Sequence, residues 1–60
     1  MRDFLIDALV IEDGKQRTAR YYVSAPNAMD AKSTVKLIAE VMRWRHMFVR
    51  DADGDYRQMF

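Results

Sequence analysis

"FLIDALVIEDGKQRTARYYV", Phe4 to Val23, decides the fold. Two arms rich in Leu, Ile, Val and Tyr flank Asp13-Gly14. Glycine tolerates positive φ, so this dipeptide is a strong hairpin signal. The first arm runs from about Asp3 to Glu12 and the second from about Arg17 to Ala25. If Asp13-Gly14 is a two-residue loop, Glu12 faces Lys15 and Asp7 faces Arg20. Side chains alternate with period two along each strand. Phe4, Ile6, Ala8, Val10, Ala19, Tyr21 and Val23 then share the core side. Leu5, Asp7, Leu9, Ile11, Thr18, Arg20 and Tyr22 share the other. A four-residue loop keeps the same division, whereas a three-residue loop would scramble it.

That second side is unusual. A half-buried strand alternates apolar with polar, yet Leu5, Leu9 and Ile11 stand where polar residues belong. They call for cover of their own.

A helix follows. Pro26 pushes Ala25 towards an extended conformation and ends the strand. Asn27 is a good N-cap, and Asp30 suits the capping position and the positive end of the helix dipole. At 100° per residue, Ala28, Ala31, Thr34, Val35, Ile38, Ala39, Val41 and Met42 form one apolar arc, which Leu37 and Trp44 widen. Lys32, Lys36, Glu40 and Arg43 form the opposite arc, with ion-pair spacing at Lys36/Glu40 and Glu40/Arg43. This places the helix end near Trp44. "MFVR", Met47 to Arg50, then predicts a third strand. "DADGD" predicts a turn, and "YRQMF" a short fourth strand. The expected fold class is α+β: one domain over residues 1–60, with an antiparallel sheet of three or four strands and one helix on one face, ββαβ or ββαββ.

Size and composition narrow the function. The 60-residue chain is half hydrophobic and 32% charged, a globular profile. It has no cysteine, which excludes disulfides, thiolate metal sites and a Cys nucleophile. Single cores below about 70–80 residues rarely supply more than about 3–5 kcal/mol, so close packing or self-association must supply the stability. Ten basic and nine acidic residues nearly cancel, which does not by itself favour nucleic acid or a membrane. No apolar run approaches the roughly 18 residues that span a bilayer. "MRDFLIDALV" carries Asp3 and Asp7 within its apolar run and reads as mature structure, with a cytoplasmic setting as the default.

No catalytic, cofactor or metal signature stands out. Asp51, Asp53 and Asp55 alternate as in a calcium loop, but Gly54 is fourth rather than sixth and the twelfth-position Glu is missing. His46 is the lone histidine, with no nucleophile and acid arranged around it by any motif. A small enzyme is the weakest reading.

Two binding readings are stronger. In the first, the Leu5, Asp7, Leu9, Ile11, Arg20 and Tyr22 side is a protein interface. One helix covers only one face of a sheet, and an apolar patch on the free face marks an interaction site. The implied partner is a second copy, giving a homodimer, or a host protein. Free sheet edges offer strand-to-strand pairing as another route. In the second, Arg17, Arg20, Tyr22, Arg43, Arg45 and Arg50 hold nucleic acid, with arginines on phosphates and rings on bases.

The element order and the stretch "VSAPNAMDAKSTV", Val23 to Val35, resemble certain small phage-encoded accessory and host-takeover proteins. In those, a strand ends in a small-residue turn with an Asn cap, followed by Ala-rich helical positions. The resemblance implies a protein that acts by binding, with a host enzyme, polymerase or defence component as the typical target.

Overall fold

The computed structural model describes residues 1–59. The element order is β1 (Arg2–Glu12), β2 (Lys15–Ala25), α1 (Ala28–Ile38), β3 (Glu40–Arg50) and β4 (Tyr56–Gln58). The four strands form one antiparallel sheet in the order β2-β1-β3-β4. The fold is therefore α+β, in the ββαββ form.

The hairpin closes through a two-residue loop, with Asp7 opposite Arg20 and Glu12 opposite Lys15. Asp13 has φ 53° and Gly14 φ 75°. Positive φ at both central positions is the type I′ turn, whose twist matches that of the strands it joins. Gly14 meets this at no steric cost, and Asp13 is among the few other residues that tolerate it.

Since β2 and β3 both run antiparallel to β1 and flank it, the chain must cross β1 to pass between them. The helix makes the crossing. Asn27 caps it, its side chain accepting a 2.9 Å hydrogen bond from the Asp30 backbone N–H. Ala31 and Val35 are its buried residues, and they join Phe4, Ile6, Ala25, Met47 and Val49 in the main core. Ala8, Val10 and Ala19 form a smaller core beside it, sheltered by Tyr21, Ala39, Val41 and Trp44.

The helix ends at Ile38, well short of the expected Trp44. Ala39 is already extended, and its N–H donates back to the Val35 carbonyl at 3.0 Å. Glu40 to Arg43 thus belong to β3, so the expected Lys36/Glu40 and Glu40/Arg43 helical pairs do not form. Leu37 and Ile38, expected to belong to the buried side, are 86% and 69% exposed. The cause lies in β3. Its pairing with β1 steps from His46 opposite Asp7 to Trp44 opposite Ala8, and from Arg43 opposite Leu9 to Val41 opposite Val10. Arg45 and Met42 are the extra residues of two β-bulges. Each bulge reverses the alternation, so Val41, Trp44 and Met47 all reach the helix side. Their spacing of three imitates a helix in the sequence. Lys32 of the helix sits 5.6 Å from the Trp44 ring, tying α1 to β3 by a cation–π contact.

Residues 51–55 turn the chain into β4. The Asp51 carboxylate accepts the backbone N–H groups of Asp53 and Asp55 at 2.9 and 3.0 Å, and the Arg57 guanidinium donates to its other oxygen at 2.8 Å. Those hydrogen bonds, that of Arg57 foremost, hold the Asp51 carboxyl below the ordinary carboxylate range. This acid organises a turn. β4 ends at Gln58, and the last residue of the expected strand, Phe60, lies outside the described residues.

Candidate functional site: the open face of the sheet

The helix lies against the Phe4, Ile6, Ala8 and Val10 side of β1. Among the described residues no second layer covers the opposite side. There β1 contributes Leu5, Asp7, Leu9 and Ile11. Tyr22, Arg20, Thr18 and Gln16 of β2 stand opposite them on one flank. Phe48, His46, Arg43 and Glu40 of β3 stand opposite them on the other. The six residues expected to form a protein interface therefore do share one face.

The face is not uniformly bare. Leu5 is only 8% exposed. It stands between Tyr22 and Phe48, and two large rings in adjoining strands can shelter a leucine without a second layer. The expectation that Leu5 needs a partner's cover is therefore corrected. β1 is the central strand, and neighbours on both flanks supply cover that a sequence reading of the hairpin alone omits. Leu9 and Ile11 lie further along, opposite Thr18, Gln16, Arg43 and Glu40, and remain half-buried. Tyr22, on the outer strand, is 70% exposed.

Asp7 lies in the middle of this face and is the one buried charged residue among the described residues. Arg20 clamps it with two hydrogen bonds, Nε to Oδ1 at 2.8 Å and Nη2 to Oδ2 at 3.2 Å. The pair makes a fork-to-fork contact, the strongest form of arginine–carboxylate interaction. Leu5 and Leu9 flank Asp7 on its own strand and keep water from one side of it. The Arg20 hydrogen bonds dominate, and they hold the Asp7 carboxyl below its ordinary range despite the opposing effect of burial. Nearby positive charge on Arg20 and His46 acts in the same direction. Arg20 itself is half exposed and keeps spare donors.

Of the residues expected for nucleic-acid binding, Arg20, Tyr22 and Arg43 share the open face, whereas Arg17 does not. Arg17 lies opposite Val10 on the helix side and is bound by Glu12 through hydrogen bonds of 3.1 and 2.9 Å. Arg20 is held by Asp7, and Arg50 lies 3.6 Å from Asp3. Arg43 and Arg45 have no ion-pair partner among the described residues. They line a shallow depression of about 310 Å³ with Trp44 and His46. Sequence reasoning missed Phe48 as a member of the open face. Its place opposite Leu5 depends on the strand order, which no local pattern encodes.

Comparison of the chain with protein-family models, with curated proteins and with solved structures gave no match. No helix among the described residues is long and apolar enough to cross a membrane.

Proposed function

We propose that this protein is a small non-catalytic protein-binding module that uses the open face of its sheet, as expected of a phage-encoded accessory protein that engages a host protein. One observation carries the reading. Leu9, Ile11 and Phe48 are half-buried and Tyr22 is largely exposed on a face that no second layer covers. Apolar surface arranged in this way favours contact with another surface, at roughly 25 cal/mol per Å² removed from water.

The polar pair at the centre supplies direction. Asp7 and Arg20 satisfy each other, so covering them leaves no orphaned charge. The remaining guanidinium N–H groups can donate to a carbonyl or carboxylate of the partner and fix its register. On this face Arg20 is paired with Asp7, Arg50 lies 3.6 Å from Asp3, and Glu40 offsets Arg43, which leaves little net positive charge. Binding should therefore respond weakly to salt, unlike phosphate contact.

The test is Leu9→Asp, read by affinity capture of the partner alongside circular dichroism. The substitution should reduce capture at least tenfold while the spectrum stays unchanged. Normal capture by a folded Leu9→Asp variant would overturn the reading.

A further inference from the structure

The sheet has two long sides, and they differ. On the β3 side, β4 covers only Phe48 to Arg50. The remainder carries both bulges and the cations Arg43 and Arg45, which have no ion-pair partner among the described residues. Bulges and charges are the usual devices that stop a strand edge from pairing. Beyond Lys15 at its start, the β2 side has neither device. β2 is eleven residues long, its register with β1 runs from Lys15 to Ala25 without a shift, and Pro26 lies beyond it. Its two arginines fold back across the sheet onto β1 carboxylates, Arg17 onto Glu12 and Arg20 onto Asp7. Their charges are neutralised there and turned from the edge.

The turn fixes which backbone groups are free. In a two-residue hairpin the closing pair, here Glu12 and Lys15, exchanges hydrogen bonds, and the pattern then alternates. Odd-numbered residues of β2 bond to β1. Thr18, Arg20, Tyr22 and Ser24 direct their N–H and C=O groups outward.

From this we infer that β2 pairs antiparallel with β2 of a second copy, about a two-fold axis at Tyr21, to make one continuous eight-stranded sheet. The sequence of the edge is self-complementary in that register. Arg20, held on Asp7 of its own chain, falls opposite the uncharged Tyr22 of the other copy. Thr18 falls opposite Ser24, a pair of small polar residues, and Ala19 falls opposite Val23. No like charges meet, whereas an axis at Arg20 would set the two guanidinium groups against each other. Four outward-facing residues on each copy would form about eight new N–H···O=C bonds. The pairing also sets the two open faces side by side. It rests on the outward backbone groups of β2 and not on the Leu9 and Ile11 surface, so it stands or falls separately from the proposed function.

Two measurements test it. First, light scattering across a concentration series should give twice the 7.1 kDa chain mass. Thr18→Pro removes an outward N–H without touching the β1 ladder and should return the mass to 7.1 kDa with strand content retained. Second, the chain has no cysteine, so Thr18→Cys and Ser24→Cys introduce the sole thiols. Oxidising the two variants together should give a disulfide-linked dimer, and oxidising either alone should not. A wild-type chain that stays monomeric throughout the series overturns the inference. So does a dimer that survives Thr18→Pro but is lost in Leu9→Asp, which would place the contact on the face. If Thr18→Pro does not fold, the cysteine mixture decides, and equal cross-linking in single and mixed samples counts against the register.

Discussion

The two sides of β1 carry almost the same number of large apolar residues, yet they meet different surroundings. Phe4, Ile6, Ala8 and Val10 lie beneath the helix and its satellites, and each is essentially sealed. Leu5, Asp7, Leu9 and Ile11 have no layer above them among the described residues and depend on whatever stands beside them. Where the neighbours are large rings, as at Leu5, lateral cover suffices. Where they are Thr18, Gln16, Arg43 and Glu40, it does not. Burial in a two-layer sheet therefore varies along the strand as well as between its sides.

This contrast can be broken by substitution, beginning with the largest effect. Ile6 is fully buried in the main core. Ile6→Ala should destabilise the fold by about 3–4 kcal/mol, a loss a domain of this size can hardly withstand. Chemical denaturation should show a largely unfolded chain. Leu5→Ala removes a comparable side chain from the open side, where the surrounding rings can close in, and should cost about 2 kcal/mol in the same assay. A loss at Leu5 equal to that at Ile6 would show that the open side is sealed as tightly as the helix side.

Arg20→Ala comes next, at about 1–2 kcal/mol, because it strands a mostly buried carboxylate. The Asp7–Arg20 pair also predicts a pH response. The folded state holds the Asp7 carboxyl below its ordinary range, so its contribution is complete above that range. It is lost as pH falls below the ordinary aspartate value, about 4, and through the lowered folded-state value. Thermal melts should therefore show a shallower acid decline for Asp7→Asn than for the parent chain. The smallest effect on stability belongs to Leu9→Asp, expected below about 1 kcal/mol because the site is half open to water. A change that barely affects folding but abolishes binding would separate the two sides of β1 most clearly.

Much of this architecture was legible in the sequence. Asp13-Gly14 between alternating arms marked the hairpin and its register. Pro26, Asn27 and Asp30 marked the start of the helix. Its end was not legible, because two bulges bring Val41, Trp44 and Met47 to one side with the spacing of a helical stripe. A bulge leaves no residue signature of its own here, with neither Gly nor Pro at Met42 or Arg45. The candidate face was legible in membership but not in exposure. Local alternation placed Leu5 beside Leu9, while the order β2-β1-β3-β4 decided that Leu5 would be enclosed and Leu9 would not. That order depends on pairing between distant segments, which no window along the chain contains.

The three-residue length of β4 has a consequence for motion. Among the described residues it pairs with β3 at Phe48, Val49 and Arg50, with one further backbone bond from Met59 to Met47 and a side-chain contact of 3.3 Å from Gln58 to His46. Strands tied so briefly open well before the whole domain unfolds. Amide protons of Tyr56 to Gln58 should exchange with solvent orders of magnitude faster than those of Ile6 and Ala8. Each such opening would transiently lengthen the exposed outer rim of β3 as far as Arg50, leaving Met42 and Arg45 as the kinks that discourage a stray strand from adding there.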